Sequence, residues 1–100
     1  MDEGMGMVVK TVRAVHVDDA DNCVTLTTPA GEGDLVVFSS GGSERSAAAL
    51  GAIPKWHKMA VAAIEKGGSV YKYGAVIGIA SEDIKAGDCV HIHNMRSPGG

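Results

Sequence analysis

Aromatic residues are scarce in this sequence, which has one Trp, two Tyr and one Phe among its 100 residues. A core must therefore be built from Val, Ile, Leu and Ala, within an apolar fraction of 45%. Clusters of basic residues are also lacking, because 9 Lys and Arg and 12 Asp and Glu are interspersed, giving a formal net charge of −3. The chain therefore has no basic footprint to attract nucleic acid or an anionic membrane surface.

Cysteine is rare as well: Cys23 and Cys89 lie far apart and form no CxxC pair. The first residues have neither the basic region nor the apolar core of a secretion signal. No apolar run reaches the roughly 20 residues that cross a bilayer. These absences predict a cytoplasmic protein with reduced thiols, in which Cys89 is a small core residue rather than a nucleophile.

Glycine is abundant, with 14 residues, although the glycines match neither of the phosphate-loop patterns. Many glycines and few long apolar runs favour short strands joined by tight turns over a helical bundle. The length allows one domain, spanning residues 1–100. We expect its ordered part to cover about residues 7–95, after a disordered leader at residues 1–6 and before a frayed C-terminus.

The pattern of β-branched and alternating residues predicts a mostly β fold with one or two short helical turns. One helical turn is expected within residues 44–50, which could also form a mobile loop, and another at 81–84. For residues 56–63, the alanines favour a helix, whereas the flanking turns favour a strand at 57–61. Further strands are predicted at residues 7–15, 23–28, 34–38, 70–73, 76–80 and 89–93.

A repeat organises the second half of the chain. Residues 64–74 realign with residues 84–94, and a shorter echo lies at residues 33–36. Each copy has an apolar residue, a Gly turn and an alternating strand. Because side chains in a strand alternate faces, His91 and His93 are expected to project from one face. Tyr71 and Tyr73 are expected at the equivalent positions of the first copy, with Lys72 on the opposite face.

His91 and His93 on one face could share a metal ion, because imidazole is a common metal ligand. His57 or His16 could supply a third ligand, and Asp21 or Asp88 a carboxylate. The alternative is that the two histidines lie at the edge of the core and hydrogen-bond to loops. From the pattern alone, the two interpretations are about equally supported.

Lys58 and Lys72 are the candidate cations for an anionic substrate, against the alternative that both are solvated. His16, Asp21 and Asn22 could form an acid–base or metal-binding loop, although such residues commonly serve as turn formers. Trp56 could stack on a sugar, although a lone Trp is more often the largest piece of a small core.

Several motifs together resemble one known family. They are His57-Lys58, Ile64-x-x-Gly67, Val70-x-Lys72-Tyr73-Gly74, Ile77-Gly78-x-Ala80, Ile84-x-x-Gly87 and Val90-His91-x-His93-Asn94. The series is similar to the N-terminal domain of the altronate and galactarate dehydratases, a compact β-clip of the SAF type. The resemblance runs from about His16 to Asn94. Two features depart from the family pattern: the loop from His16 to Asp21 is longer, and Trp56 stands where the family usually has Gly.

In those dehydratases the domain is fused to a larger catalytic region, so the resemblance implies that this chain is the small subunit of a split lyase. The sulfolactate sulfo-lyase small subunit has that arrangement. The implied reaction is β-elimination of water or sulfite from a small hydroxy-acid or sulfonate anion. A divalent metal, iron in characterised relatives, would stabilise the developing enediolate.

The resemblance also implies roles for individual residues. Lys58 and Lys72 would act as catalytic cations that neutralise the carboxylate or sulfonate. His57, Tyr73 and Asn94 would bind the substrate. The metal ligands would be His91, His93 and His16.

Two other classes of function remain open from the sequence. SAF modules also occur without lyase chemistry, so the chain could be a non-catalytic module that binds a carbohydrate or a protein. A free-standing metal-binding protein is the third alternative. The sequence is compatible with both a monomer and a homo-oligomer.

Overall fold

The protein is all β in the computed structural model, which describes residues 9–98. Its strands are β1 (Thr11–Val15), β2 (Cys23–Leu26), β3 (Leu35–Ser40), β4 (Ser43–Ala48), β5 (Lys58–Ala60), β6 (Ser69–Lys72), β7 (Ala75–Ala80), β8 (Cys89–Val90) and β9 (Met95–Arg96). This confirms the mostly β class. No helix forms within the described residues, and none is therefore available there to span a membrane.

The strands of residues 9–98 form two sheets. One has the order β4-β3-β1-β2-β5-β8, and the other has the order β6-β7-β9. Neighbouring strands are antiparallel except β1 and β3, which pair in parallel. The register places Cys23 opposite Ala60 and Lys58 opposite Val90. The short strands β2, β5 and β8 therefore lie side by side at one end of the larger sheet.

Strands β2, β5 and β8 separate two hydrophobic clusters. Side chains alternate along each strand, so Val24 and Met59 face one cluster while Cys23 and Ala60 face the other. The first cluster fills the space enclosed by the larger sheet, and includes Phe38. The second cluster lies between the larger and the smaller sheet. Both clusters consist mainly of small aliphatic residues, as the scarcity of aromatic residues predicts.

One turn occurs four times, at residues 30–34, 53–57, 64–68 and 84–88. Its first residue is buried, and its fifth residue donates a backbone hydrogen bond of 2.7 to 3.1 Å to the carbonyl of its second. Its fourth residue has a positive φ and is Gly33, Trp56, Gly67 or Gly87. The turns pair through backbone bridges between Ala30 and Ile53 and between Ile64 and Ile84. The sequence repeat therefore has a fourth member, at residues 53–57, which Trp56 conceals.

Each turn is held by two backbone hydrogen bonds to a single residue of another segment. In the turn at residues 53–57, Trp56 donates to the Leu26 carbonyl at 2.7 Å and His57 accepts from the Leu26 amide at 3.0 Å. Equivalent pairs join the other three turns to Ala49, Ala80 and Ala60. The backbone of the fourth residue is therefore fixed from outside the turn, whichever side chain it carries.

Replacing Gly87 by Ala should destabilise the protein more than replacing Gly67. Both have a positive φ, which costs a residue with a Cβ about 1 kcal/mol or more. An added Cβ meets nothing within 4 Å at Gly67, whereas at Gly87 it would overlap the Ala48 carbonyl and approach Leu50 Cγ to 2.9 Å. We expect G87A to cost about 3 kcal/mol or more and G67A about 1 kcal/mol. Urea unfolding of both variants measures the difference, and equal midpoints would contradict it.

Two local predictions are wrong. Residues 43–48 form strand β4 rather than a helical turn, because they pair along their whole length with β3. The tight turn at Gly41 and Gly42 joins these two strands. Residues 81–84 form no helical turn, because the Ile84 backbone pairs with Ile64. The predicted leader at residues 1–6 lies outside the described residues.

Candidate functional site

Asp21 organises the polar end of the molecule. Its side chain is only 6% exposed. The carboxylate accepts backbone hydrogen bonds from Asp18 at 3.3 Å, Tyr73 at 2.9 Å and Gly74 at 2.8 Å. Residues 73 and 74 form the turn between β6 and β7, where both have a positive φ. Asp21 therefore fixes this turn to the loop between β1 and β2.

The hydrogen bonds to Asp21 favour its ionised form. Burial alone would raise the pKa of this carboxyl group, but the amides of Gly74, Tyr73 and Asp18 and the nearby His16 outweigh it, and the pKa is lowered. The neighbouring Asn22 strengthens the same connection: its side chain donates to the Ser69 carbonyl and accepts from the Tyr71 amide. The Asp-Asn pair is thus a structural clamp between the two sheets.

His16 lies against this clamp. Its ring is within hydrogen-bonding distance of two carbonyl oxygens, with Nε2 at 2.8 Å from Asp21 and Nδ1 at 3.3 Å from Ser39. The ring also makes an edge contact with Phe38, at 5.4 Å between centroids. Both ring nitrogens therefore face protein acceptors, which leaves neither pointing to an open ligand position.

Lys72 and Tyr73 lie near the same end, since the Tyr73 amide donates to Asp21. Lys72 Nζ lies 4.8 Å from the Tyr73 ring centroid, so the expectation that they point to opposite faces is wrong. The cause is local: a register shift follows Val70, and Tyr73 has a φ of 56° instead of an extended conformation. Lys58 and Lys72 also both act electrostatically on the Cys23 thiol. The structure thus brings the two predicted catalytic lysines to the neighbourhood of one buried cysteine.

The Cys23 thiol should be unreactive in the folded protein. Burial raises its pKa to about 11, against the smaller opposing effect of Lys58, and its Sγ donates to the Tyr71 carbonyl at 3.3 Å. Because the thiolate is the nucleophile, only about a thousandth of this thiol is reactive at pH 8. A Cys89→Ser variant treated with Ellman's reagent should show no modification until urea is added. Rapid modification of the folded variant would contradict the burial of Cys23.

His57 and His91 form a second cluster, at the opposite end of strand β5. Strands β5 and β8 pair Met59 with Cys89 and Lys58 with Val90. The next residues in this register are His57 and His91, which therefore face each other. The two rings lie 4.9 Å apart between centroids, tilted by 32°. We call these residues the histidine pair. It joins two motifs that are more than 30 residues apart in the chain.

Asn94 and His93 take different positions from those predicted. Strand β8 ends at Val90, and residues 91–94 form a turn, so His91 and His93 do not alternate along a strand as expected. The Asn94 side chain is buried, accepts from the His91 amide at 3.0 Å and donates to the Cys89 carbonyl at 2.9 Å. Asn94 therefore holds the turn that positions His91, while His93 is exposed.

The predicted metal ligands are thus divided between two places. His16 lies at the Asp21 end, near Cys23, which pairs with Ala60 at one end of β5. His91 lies beyond the other end of β5, opposite His57. At the usual rise per strand residue, Ala60 and His57 are on the order of 10 Å apart. Among residues 9–98, no three His, Cys, Asp or Glu side chains are arranged to hold a metal ion.

A cavity of about 190 Å³ lies beside the Asp21 clamp. Its volume suits a small molecule rather than a drug-sized ligand. Arg45, which the sequence analysis did not single out, reaches it because residues 43–48 form a strand with Arg45 opposite Phe38. The lining is mixed in charge and consists of His16, Asp19, Asp21, Asn22, Phe38, Ser40, Arg45, Val61 and Ala62.

The structure defines the class of the protein as a small two-sheet β domain with repeated turns and a half-buried histidine pair beyond one end of β5. A family model for the altronate/galactarate dehydratase SAF domain matches residues 12–98. The chain belongs to this family.

Two curated relatives are altronate dehydratases. That of Bacillus subtilis (strain 168) is 42% identical over 45 residues, and that of Escherichia coli (strain K12) is 49% identical over 45 residues. The matched stretch makes up 45% of this chain but only 9% of each relative. The chain therefore corresponds to a small part of the enzymes it is similar to.

Proposed function

We propose that this chain is the SAF domain or small subunit of a lyase that eliminates water or sulfite from a small hydroxy-acid or sulfonate anion. The observation that carries the proposal is the histidine pair, since it brings the His57-Lys58 and Val90-His91 motifs together at a partly exposed position. Membership of the dehydratase SAF family supports it. The large catalytic subunit is part of the proposal, because 100 residues of β domain hold too few functional groups for a complete elimination.

His57 is the proposed proton-transfer group. Its Nδ1 lies 3.3 Å from the Lys55 carbonyl, an oxygen that can only accept. The neutral ring therefore carries its proton on Nδ1 and leaves Nε2 as the acceptor. A base in this form can take the proton next to a substrate carboxylate, which is the first step of β-elimination. His91, stacked beside it, restricts the orientation of the ring.

The lysines supply positive charge for the anionic substrate. Lys58 follows His57 directly, and its ammonium group would neutralise a carboxylate as negative charge develops during proton removal. Lys72 and Tyr73 lie at the Asp21 end, away from the histidine pair, and form a second polar group. We therefore propose that these two residues bind the substrate when the large subunit brings the anion to that end.

A divalent metal remains part of the proposal through the family resemblance. This chain offers the two imidazoles of the histidine pair, whereas catalytic metal sites commonly use three protein ligands. The residues present therefore do not complete such a site, and we assign no step to a metal. Iron analysis of the purified complex tests the predicted ligands. If the iron content per complex is unchanged in His91→Ala and His93→Ala, these two histidines are not iron ligands.

The decisive experiment is affinity purification of the tagged chain from its native cells, followed by mass spectrometry and activity assays. The purified material is assayed for water loss from altronate and galactarate and for sulfite release from sulfolactate. A stoichiometric dehydratase-family subunit with one of these activities supports the proposal. A chain that returns alone, without activity, overturns it.

Carbohydrate or protein binding without catalysis is the second candidate. A lone Trp is more often a core residue, but Trp56 is 64% exposed. An exposed indole can stack on a sugar ring. Calorimetric titration of the isolated chain with aldonic and aldaric acids distinguishes the two. Tight binding without any partner would favour the binding module.

A further inference from the structure

Trp56 has a backbone conformation that the other three turns of the repeat assign to glycine. Its φ is 69°, while the equivalent residues of the other three turns are Gly33, Gly67 and Gly87, with φ values of 87°, 88° and 98°. Left-handed conformations are rare for residues with a Cβ and especially unfavourable for bulky ones. The two hydrogen bonds to Leu26 impose the conformation. Glycine would satisfy this turn better, so folding does not explain the tryptophan.

The indole also does little for the core. It is 64% exposed, whereas Phe38 is buried in the first hydrophobic cluster. Its described ring contact is with Lys55, whose Nζ lies 5.3 Å from the centroid. A cation on one side of the ring leaves the rest of the indole accessible. A strained and exposed residue of this kind points to a function in recognition.

A second exposed apolar residue adjoins the histidine pair. Trp56 directly precedes His57 in the chain, and Ile92 directly follows His91. Ile92 is 82% exposed, at the tip of the turn that Asn94 holds in place. Each histidine of the pair thus has a large exposed apolar residue next to it in the chain, on a turn held by hydrogen bonds, and we call these four residues the rim.

We infer that Trp56 and Ile92 are the contacts through which the rim docks onto a large lyase subunit, so that the histidine pair lies at the subunit boundary. This inference rests on the proposed function. The occupant is indicated by the relatives, in which the matched 45 residues are only 9% of the chain and the remainder accompanies the domain. Exposed Trp and Ile flanking polar groups resemble the apolar anchors around which protein interfaces are centred.

The test uses the large subunit that affinity purification identifies, expressed without its natural partner. This chain has a single Trp, so labelling it with 5-fluorotryptophan gives one fluorine NMR signal that reports on the rim. Adding the unlabelled subunit should shift this signal and remove its response to replacement of water by deuterium oxide. A signal that keeps its solvent response in the formed complex would overturn the inference.

Variants separate docking from folding. Trp56→Gly should raise the melting temperature of the isolated chain by about 4 °C, because the strain is relieved, yet weaken the complex at least about 30-fold. Ile92→Ser should leave the melting temperature unchanged and weaken the complex by about 5-fold or more. Val15→Thr is the matched control, since Val15 is exposed on β1, which β2 separates from β5. It should change neither quantity.

The outcomes distinguish the two proposals. If Trp56→Gly binds the subunit as tightly as the wild type and the complex stays active, docking at the rim is wrong while the lyase function stands. If the wild-type chain recovers no lyase subunit, both are overturned. Concentration-dependent dimers of the isolated chain that are lost in Trp56→Gly would also overturn the inference, since the rim would then bind a second copy.

Discussion

Replacing Asp21 by Ala is expected to lower the free energy of unfolding by about 3 kcal/mol or more, and the melting temperature by roughly 15 °C. The carboxylate satisfies three backbone N–H groups, from Asp18, Tyr73 and Gly74. Without it, these donors lose a charged acceptor at a largely buried position, and the β6–β7 turn loses its connection to the larger sheet. For a domain of this size, such a loss is a large part of the total stability.

Asp19→Ala is the matched control. Asp19 lies in the same loop and also accepts a backbone hydrogen bond, from Gly41 at 2.8 Å, but that bond is exposed. We expect a cost of about 1 kcal/mol or less, because water replaces the lost acceptor. Thermal unfolding followed by circular dichroism compares the two variants. Similar melting temperatures for Asp21→Ala and Asp19→Ala would show that the clamp contributes little.

Asp21 should also contribute to the loss of folding stability at acidic pH. Its pKa is lower in the folded state than its ordinary value of 3.8. The ionised carboxylate therefore stabilises the fold above about pH 4, and this stabilisation is lost as the pH falls through the lowered folded pKa. Asp34, whose pKa is lowered chiefly by the Gly31 amide, contributes in the same direction. Asp21→Asn should flatten the fall in melting temperature between about pH 4 and pH 2, compared with the wild type.

Replacing His57 by Ala should reduce kcat of the assembled lyase by about 100-fold or more, the usual effect of removing an acid–base group. His57 lies at the rim, with its Nδ1 directed at the Lys55 carbonyl, so its loss should leave the folding of the chain nearly unchanged. Added imidazole should restore part of the activity, because a small base can occupy the space left by the ring. A purely structural histidine would not respond in this way.

His93→Gln is the control for His57. His93 is exposed in the same region of the molecule, but it lies outside the histidine pair. We expect its activity to remain within about threefold of the wild type, while His91→Gln shows an intermediate loss through the orientation of His57. Steady-state assays of the complex measure all three variants. Equal losses for His57→Ala and His93→Gln would contradict a specific role for the pair.

The two lysines and Tyr73 illustrate how far motif reasoning carries. The sequence singled out these residues because they belong to a recognisable series, and the structure does bring Lys58 and Lys72 near one cysteine. It could not place Lys72 relative to Tyr73, because alternation holds only while the backbone stays extended. The left-handed conformation of Tyr73, which Asp21 fixes from a distant loop, reverses the expectation.

Arg45 and Asp21 illustrate what local patterns miss. Residues 44–50 consist of good helix formers, yet pairing with β3 makes them extended and brings Arg45 to the cavity. Intrinsic helix propensity is weak and is commonly overridden by tertiary contacts. Asp21 was interpreted as a turn former or a ligand, but its acceptors are used by amides more than 50 residues away along the chain, which no local pattern reveals.

The sequence by itself determined the β class, the repeated Gly turns and the family, because these depend on local periodicity, backbone freedom and the order of motifs along the chain. Only the tertiary structure decided which functional residues meet. Strand register put His57 against His91, the end of β8 removed His93 from that alignment, and the separation along β5 kept His16 apart. The tertiary structure also revealed Trp56 as a member of the repeat. Hydrogen bonds to Leu26 impose its backbone conformation, so the residue at this position need not be the Gly by which the sequence marks the other turns.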